Sequence, residues 1–397
     1  MCFKRLLIGI VCAILSLGMV ACNRENKEEE PVDNETLYSN KVESLVNLGL
    51  ITGDDSPNKT GQNWDVGGTD LGIPIYDEAN KKMYFAFGDT YSGADQHGNW
   101  RSNIMAVTTD LDASDGITID YFLNNNRPIA KEFIPSRKVD NLEITTIPTG
   151  GIVIGDSIYV HYMSVRVWGT SGEWNVNYNG VVKSVDGGET WTRVNNLTWA
   201  ESNKEYVETV TGMDVIELNK RIAPNFLQVF PIKAADGYIY IYGIPGGRSG
   251  GAKLGRVLVE KYEDFFEYEY FNGYDENDNP IFIKGTAGLE AILENDKAYV
   301  ISPKVAEISV MYNKYLEKWI TIYKFNNSGR LVFRTSDNPW GVWSDEELIT
   351  TADDLPGGFY GEFMHEIYSE KDGKVIYFII SQWKPIYNSR LMRLEFK

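Results

Sequence analysis

The sequence predicts an all-β protein folded as a five-bladed β-propeller. Three observations support this prediction: a turn followed by an alternating aromatic and β-branched run recurs five times, long helical periodicity is absent after about residue 43, and one turn carries a propeller-type motif. Strand units that repeat along a chain without helices between them are typical of propellers, in which small antiparallel sheets surround a central channel. A six-bladed arrangement stays open as the second interpretation of this pattern.

Each of the five runs contains an anchoring tyrosine, and these residues are Tyr84, Tyr159, Tyr240, Tyr299 and Tyr377. Division of residues 43 to 397 among five units gives 71 residues per unit. Compact blades need only about 40 to 50 residues, so long loops between strands are expected. The segment from 37 to 50 is a modest helix candidate.

The turn motif is the run from Ser184 to Trp191, which matches the Asp-box pattern S-x-D-x-G-x-T-W at every fixed position. In such a turn the Ser and Asp side chains bond the backbone, the glycine supplies an unusual dihedral angle, and the tryptophan packs into the blade. We therefore assign Asp186 a structural role rather than a catalytic one. A degenerate relative at residues 335 to 343 predicts a second outer hairpin.

The first 42 residues indicate export and lipid anchoring. Two basic residues precede an apolar run from Leu6 to Val20, which has the length of a secretory signal, and Met19-Val20-Ala21-Cys22 resembles a lipobox. The predicted organisation is a signal peptide at 1–21, a lipidated Cys22 with an acidic tether at 22–42, and one catalytic propeller domain at 43–397. An ordinary signal peptide cut after Ala21 is the alternative. The acidic tether resembles the signal that exports some Gram-negative lipoproteins to the outer face of the outer membrane.

Composition and charge exclude several classes of function. All three cysteines lie within the first 22 residues, so the propeller region can be neither a disulfide scaffold nor a cysteine-dependent enzyme. The net charge of −18 disfavours nucleic acid and anionic lipid as partners, so membrane contact is expected through the N-terminal lipid only. The 13% aromatic content suits sheets and also surfaces that stack on sugars. A neutral or cationic ligand, such as a polysaccharide, stays open, and we expect a monomer.

Carboxylates remain as the candidate catalytic groups. The three histidines, His97, His161 and His365, are far apart in sequence, and motifs for zinc proteases, nucleophile elbows and phosphate loops are absent. The run that begins at Asp275 starts like a calcium loop but has Pro280 where glycine is needed. The predicted chemistry therefore requires no metal or cofactor, and a structural cation in the channel stays open.

Asp70 and Asp89 are the candidate catalytic pair. Asp70 lies in a glycine-flanked predicted strand and Asp89 near the end of the next, so a hairpin can bring both to one end of the channel. Two carboxyl groups at one cleft can cleave a glycosidic bond, one giving its proton to the leaving oxygen and the other activating water. Mutual repulsion and an apolar lining would separate their pKa values. Aspartates in such positions are also common turn formers.

The order of short motifs from about residue 47 to the C-terminus resembles the domain of unknown function 4185, which is linked to glycoside hydrolase family 183. The motifs are residues 69–72, 87–90, 147–151, 243–248, 360–365 and 381–389. This resemblance implies a five-bladed propeller and endo-D-arabinanase activity, which cleaves internal α-D-arabinofuranosyl linkages of arabinogalactan and lipoarabinomannan with inversion. It also implies that the catalytic pair is Asp70 and Asp89. Inversion requires the two carboxyl groups to be about 6.5–9.5 Å apart.

Further residues in glycine-rich or aromatic loops and strand ends are candidates for substrate contact. Arg248 could bond sugar hydroxyls or cap a loop, Glu362 and His365 could instead form a structural pair, and Trp168 and Trp383 could stack on a furanose ring. The predicted contacts are Glu143, Arg248, Glu290, Glu362, His365, Trp383 and Asn388.

Two other functions compete with the D-arabinanase. The first is a non-catalytic, surface glycan-binding lipoprotein, which composition and anchoring fit equally well. The second is another furanosidase, or a sialidase-like enzyme, on the same scaffold, although a sialidase needs an arginine cluster that is not evident here.

Overall fold

The computed structural model describes residues 38–123 and 127–397. The predicted signal peptide, Cys22 and most of the tether lie outside these residues. The strands, in chain order, are β1 Val42–Leu50, β2 Gly68–Asp77, β3 Lys82–Tyr91, β4 Ile104–Thr108, β5 Tyr121–Phe122, β6 Thr145–Ile154, β7 Ser157–Trp168, β8 Trp174–Ser184, β9 Thr192–Ala200, β10 Gln228–Lys233, β11 Tyr238–Ile244, β12 Ala252–Leu258, β13 Glu269–Tyr274, β14 Pro280–Lys284, β15 Tyr299–Ile301, β16 Val305–Asn313, β17 Lys318–Phe325, β18 Arg330–Ser336, β19 Glu347–Thr351, β20 Phe359–Glu370, β21 Val375–Gln382 and β22 Asn388–Phe396.

Short helices occupy the loops between strands. The α-helices are α1 Thr60–Trp64, α2 Lys204–Thr211, α3 Val215–Asn219 and α4 Gly285–Ile292, and short 3-10 helices span Val259–Lys261, Phe265–Glu267, Asp296–Ala298 and Lys371–Gly373. None of the helices in the described ranges is both long and apolar enough to cross a membrane.

The strands of the described chain form five antiparallel sheets, which confirms the five-bladed propeller and removes the six-bladed alternative. Blade 1 is β2-β3-β4-β5, blade 2 is β6-β7-β8-β9, blade 3 is β10-β11-β12-β13-β14 with β15 paired to β12, blade 4 is β16-β17-β18-β19, and blade 5 is β20-β21-β22-β1. The innermost strands β2, β6, β10, β16 and β20 contact one another around the channel.

Tight packing between innermost strands depends on two adjacent glycines of β6. A Cβ atom on Gly150 would lie 2.7 Å from the carbonyl oxygen of Val229, and one on Gly151 would lie 2.2 Å from Cδ1 of Ile75. Glycine is therefore required where β6 approaches β10 on one side and β2 on the other. Apolar side chains fill the remaining space and form large buried clusters that extend from blade to blade.

The first strand of the chain closes the ring at the outer edge of blade 5. β1 pairs with β22 from Val42↔Phe396 to Leu50↔Arg390, so the N-terminal and C-terminal ends of the propeller share one sheet. The structure thereby corrects the helix candidate at 37–50. Side chains of an edge strand face solvent on one side, as Val46 does at 41% exposure, and the sparse apolar residues resembled one face of a helix.

The structure also corrects the prediction that Tyr299 marks a separate blade. Tyr299 begins β15, which is an extra strand of blade 3. The other four anchoring tyrosines each occupy the third position of the second strand of a blade, and Ile320 occupies that position in blade 4. The tyrosine pattern missed this blade because isoleucine fills the same buried position.

The Asp-box prediction agrees with the turn between β8 and β9. The backbone N–H of Gly188 donates to Ser184 Oγ at 2.9 Å, and the N–H of Thr190 donates to Asp186 Oδ1 at 2.9 Å. Trp191 Nε1 donates to the carbonyl of Gly188 at 2.8 Å. The degenerate motif at 335–343 lies in the equivalent hairpin between β18 and β19 of blade 4. Both motifs lie in the hairpin between the third and fourth strands of a blade, away from the innermost strand that borders the channel.

Candidate active site

The central channel opens into a different cavity at each end. The first cavity, about 610 Å³, receives residues from the N-terminal halves of all five innermost strands, among them Asp70, Ile147, Gln228, Glu307 and Tyr360. The second, about 500 Å³, is lined by the C-terminal halves of the same strands. Phe230 and Phe363 stack at 6.2 Å between ring centroids, and Phe230 borders both cavities.

Asp70 and Asp89 reach the first cavity because the β2–β3 pairing is irregular at this point. Thr69 pairs with Thr90 and Leu71 with Phe87, so the single residue Asp70 faces both Gly88 and Asp89. Such a bulge bends the strand and redirects its side chains. The two carboxylates therefore line the same end of the channel.

The backbone at the bulge is held by blade 5. Leu71 has a positive φ of 62°, its N–H donates to Ser381 Oγ at 2.7 Å, and its carbonyl accepts from Ser389 Oγ at 3.1 Å. A branched residue in the left-handed region is strained, so these bonds fix a conformation that the strand would not adopt alone. Gly88 leaves room for the carboxylate, because a Cβ there would lie 2.4 Å from Asp70 Oδ1.

Asp70 has neighbours that favour its ionised form. The hydroxyl of Tyr360 donates to Asp70 Oδ2 at 2.8 Å, and Tyr387 lines the same cavity. Burial raises the pKa of Asp70 to about 6, although the hydroxyls of Tyr387 and Tyr360 and the positive charge of Arg248 act to lower it.

Asp89 has fewer influences that favour ionisation. Its Oδ1 accepts from Trp100 Nε1 at 2.8 Å and from Thr145 Oγ1 at 2.9 Å. Burial and the negative charge of Asp70 raise the pKa of Asp89 to about 7. At mildly acidic pH this pair can hold one proton between two carboxyl groups, which is the state that acid–base cleavage of a glycosidic bond requires.

Arg248 and Glu307 form an ion pair in the wall of the same cavity. Arg248 Nε lies 2.9 Å from Glu307 Oε1 and 3.2 Å from Oε2, and Nη2 lies 2.6 Å from Oε1. Burial would raise the pKa of Glu307, but the charge and hydrogen bonds of Arg248 lower it below its usual value. Lys324 lines the cavity nearby, and burial together with the charge of Arg248 lowers the pKa of its ammonium group.

Two exposed tryptophans border the first cavity. Trp168, at the end of β7, is 42% exposed and packs edge-on against Trp174 at 5.7 Å. Trp383, after β21, is 51% exposed and packs against Tyr360 and Tyr387 at 6.2 and 5.8 Å. Supported, exposed indole rings beside a carboxylate pair are suited to stacking on sugar rings.

The structure brings Asp70, Asp89, Arg248 and Trp383 together at the first cavity, but it corrects the expectation for five other predicted contacts. Glu143 is buried beside β7, where it accepts hydrogen bonds from Ser164 Oγ at 2.6 Å and from the N–H of Arg137 at 3.1 Å. Glu290 is exposed on α4 in blade 3. Both lie outside the cavity wall, because sequence position within a loop does not reveal which way the loop faces.

The remaining three corrections concern blade 5. Asn388 is buried and joins β22 to the preceding loops, since it accepts from Thr52 Oγ1 and donates to the carbonyl of Gly67. His365 faces the second cavity, where its ring lies 5.8 Å from that of Tyr76. Glu362 is buried behind the cavity wall, and no side chain of the described residues donates a hydrogen bond to its carboxylate. The suggested Glu362–His365 pair is thus not formed.

Sequence reasoning missed the groups that hold the aspartates. Tyr360 and Tyr387 lie inside motifs that carried the family resemblance, but the polar neighbours Glu362 and Asn388 were selected instead. Trp100 lies in the loop after β3 and carries no local signal for its contact with Asp89. Thr145 and Glu307 reach the site from blades 2 and 4, so only the ring arrangement of blades brings them there. Across residues 38–123 and 127–397, no group of three or more His, Cys, Asp or Glu side chains could hold a metal ion.

Comparison with known proteins gives one family and several distant relatives. The family model described as "Domain of unknown function (DUF4185)" matches residues 55–393. Notoamide biosynthesis cluster protein J of Aspergillus sp. (strain MF297-2) is 24% identical over 354 residues, which are 83% of each chain. Notoamide biosynthesis cluster protein J' of Aspergillus versicolor is 24% identical over 365 residues, 87% of this chain and 88% of that protein.

Among solved structures, a candidate hydrolase from Bacteroides ovatus ATCC 8483 superimposes with a TM-score of 0.52 at 12% identity, covering 84% of this chain and 86% of that one. A GH43_1 enzyme from Xanthomonas citri, in complex with xylose, gives a TM-score of 0.47 at 12% identity over 85% of this chain and 91% of that one. At such identity the Bacteroides ovatus structure indicates a shared fold and nothing finer.

Proposed function

The chain belongs to the DUF4185 family, and we propose that it is a glycoside hydrolase that cleaves internal α-D-arabinofuranosyl linkages of D-arabinan. Asp89 is the general acid and Asp70 the general base that activates water. The observation that carries this proposal is the pair of carboxylates that line one end of the channel, both with pKa values raised toward neutrality by burial. Paired carboxyl groups with separated proton affinities are typical of glycosidases.

The surroundings of the two aspartates support this division of roles. Asp70 has the Tyr360 donor, the neighbouring hydroxyl of Tyr387 and a nearby guanidinium, so it loses its proton first and can accept one from water. Asp89 experiences the resulting negative charge and keeps its proton to higher pH, so it can protonate the leaving oxygen. A single-step displacement with these roles inverts the anomeric configuration.

The choice of D-arabinan rests on the family resemblance, and the cavity is compatible with it. A neutral furanoside polymer needs stacking surfaces and carboxylates rather than a cluster of cations. The exposed rings of Trp168 and Trp383 come from different blades, so a chain can contact both while a bond between them lies at Asp70 and Asp89. The solved Bacteroides ovatus relative is named as a candidate hydrolase, which agrees with the reaction class.

The decisive experiment incubates the protein with purified D-arabinan and L-arabinan side by side. We expect D-arabinan to yield a ladder of internal fragments whose newly released ends carry the inverted anomeric form in proton NMR. Asp70→Asn and Asp89→Asn should each lower turnover about 10²–10⁴-fold while the protein still binds the polymer. Asp156→Asn, in an exposed turn of blade 2, is the matched control and should retain full activity.

The competing function is a surface protein that binds glycans without cleaving them. It predicts that the wild-type protein binds D-arabinan but releases no product under any condition tested. Equal turnover by the wild type and both Asn variants would instead show that the catalytic pair is wrongly assigned. Cleavage of L-arabinan alone would replace the substrate and keep the mechanism.

We further propose that the protein is anchored through a lipidated Cys22 on the outer face of a Gram-negative outer membrane. The lipobox-like run that ends at Cys22 and the acidic residues after it support this location. Labelling with radioactive palmitate and protease treatment of intact cells test it. Cys22→Ser should abolish the label and release the protein from the membrane fraction, and an unlabelled wild type would contradict the anchor.

A further inference from the structure

Each candidate catalytic aspartate accepts a hydrogen bond from an aromatic side chain that itself lies beneath a cation. Tyr360 donates to Asp70, and the guanidinium carbon of Arg248 lies 4.5 Å from the centre of the Tyr360 ring. Trp100 donates to Asp89, and Lys138 Nζ lies 4.9 Å from the centre of the Trp100 ring. Each cation is paired with a glutamate, Glu307 in the first case and Glu132 in the second.

The two assemblies differ in burial, and this difference decides what they can do. The side chains of Arg248 and Glu307 are 14% and 10% exposed, whereas that of Lys138 is 36% exposed. A charge in contact with water is strongly screened, but one inside the protein acts on its neighbours through a lower dielectric. Arg248 is therefore the cation that can influence its aspartate over several ångströms.

We infer that Arg248, held by Glu307 and stacked on Tyr360, is a positioning residue that keeps Asp70 ionised and ready to accept a proton. This inference rests on the proposed function, in which Asp70 is the general base. The guanidinium is clamped by three hydrogen bonds to Glu307 and lies between the rings of Trp174 and Tyr360, at 5.1 and 4.5 Å. Its location is thus fixed before substrate arrives, as electrostatic preorganisation requires.

The titratable groups that face Asp70 come from every neighbouring element. Asp89 and Tyr91 lie on β3, Tyr360 on β20, Tyr387 just before β22, Glu307 on β16, and Arg248 after β11. Arg248 is the positive member of this set, and Lys324 on β17 is a second cation in the wall of the same cavity. The charge of Arg248 lowers the pKa of Asp70 and outweighs the opposite effect of Glu307, so removal of the guanidinium should raise that pKa.

The test measures the ionisation of Asp70 directly and the pH dependence of activity separately. Aspartate carboxyl carbons are labelled with ¹³C, the Asp70 signal is identified by its loss in Asp70→Asn, and it is followed from pH 4 to 9. In Arg248→Met we expect the midpoint to rise by about one pH unit. The value of kcat/KM should fall about tenfold at pH 5 but only about two- to threefold at the pH optimum, because fewer molecules carry an ionised Asp70.

A second variant guards against a folding defect, since Arg248→Met leaves Glu307 buried and unpaired. The double change Arg248→Gln with Glu307→Gln removes both charges and should shift the midpoint in the same direction by a smaller amount. Arg256→Met is the matched control, because Arg256 pairs with Glu269 and stacks on Tyr238 in blade 3, outside the cavity wall. Its titration and pH profile should equal those of the wild type.

The outcomes separate this inference from the proposed function. An unchanged Asp70 midpoint in both Arg248 variants would overturn the inference, whatever the activity. A raised midpoint in a protein that hydrolyses no arabinan would support the electrostatic role of Arg248 and overturn the hydrolase. A raised midpoint together with a displaced acid limb of the activity profile supports both.

Discussion

At the scale of single residues, the pH dependence of activity follows from the neighbours of the two aspartates. The pKa of Asp70 is about 6 and that of Asp89 about 7. Below pH 6 Asp70 takes up a proton and can no longer activate water, and above pH 7 Asp89 loses the proton that the leaving oxygen needs. We expect kcat/KM on D-arabinan to be bell-shaped with a maximum between these values. Initial rates from pH 4 to 9 test this, and a maximum above pH 8 would contradict the pairing.

The roles of the two aspartates can be separated by the leaving group. A nitrophenolate departs without protonation, so Asp89→Asn should keep much of its activity on an activated aryl arabinofuranoside while it loses about 10²–10⁴-fold on the polysaccharide. Asp70→Asn should lose both activities, because water activation is needed in each case. Steady-state kinetics of both variants on both substrates provide the test. The reverse pattern would exchange the acid and the base.

Glu362 should destabilise the protein at neutral pH. It is 1% exposed, and burial together with the negative charge of Glu307 raises its pKa to about 8. The folded state therefore binds a proton that the unfolded state has released above about pH 4.5, so stability falls as pH rises from there to about 8. Glu362→Gln should raise stability at pH 7 by on the order of 1–3 kcal/mol and flatten this slope.

Chemical denaturation of wild type and Glu362→Gln at pH 5 and pH 8 measures the effect. The gain should be larger at pH 8. There the folded wild-type protein must either hold a proton that the unfolded chain has released or bury an ionised carboxylate, and both lower the free energy of unfolding. A loss of stability in Glu362→Gln at both pH values would contradict this prediction and would show that Glu362 is ionised and paired with Lys324 as a buried salt bridge. Lys324 lies close enough to lower the pKa of Glu362 and is its natural partner in that case.

At the scale of elements, the β2–β3 hairpin determines whether the aspartates can work together. Gly88 has an ordinary backbone conformation, so alanine is allowed there, but its Cβ would lie 2.4 Å from Asp70 Oδ1. We expect Gly88→Ala to displace the carboxylate and lower kcat at least about tenfold with a change in Tm of only a few degrees. Gly255→Ala is the control, since its Cβ would also be crowded, less closely at 3.0 Å, but by Ile241 in blade 3. Comparable loss of activity in both variants would argue against a local effect.

Strands and turns were predictable where the residues that determine them are close together in the sequence. The alternating runs and the Asp-box turn identified the propeller, and the glycine-flanked strands around Asp70 and Asp89 identified the hairpin. The pattern failed for blade 4, where Ile320 fills the position of the anchoring tyrosine. It also failed for β1, because an edge strand has one exposed side and few buried residues.

At the scale of the whole molecule, ring closure explains why the rest of the site was beyond sequence reasoning. Tyr360, the partner of Asp70, is 290 positions away in the chain. Thr145 reaches Asp89 from blade 2, and the Arg248–Glu307 pair reaches the cavity from blades 3 and 4. Side chains from different blades converge only because the innermost strands surround one channel, and a single sequence contains no record of that convergence.

Ring closure by β1 should therefore control both stability and activity. β1 pairs along β22, and Val42 and Leu45 pack against the apolar cluster between blades 4 and 5. A protein that begins at Ile51 loses these contacts and leaves β22 as an open edge, which exposes unpaired backbone groups and invites aggregation. Because β22 follows directly after the segment that contains Tyr387, loosening of this strand should also disturb Asp70.

We expect the protein that begins at Ile51 to unfold at a temperature at least about 10 °C below that of one that begins at Tyr38, and to lose most of its activity before it unfolds. Calorimetry and D-arabinan hydrolysis on the two proteins measure these effects. Addition of a synthetic peptide of residues 38–50 should restore part of both, since an added strand can pair with the open edge. Equal stability of the two proteins would mean that blade 5 is held by its inner strands alone.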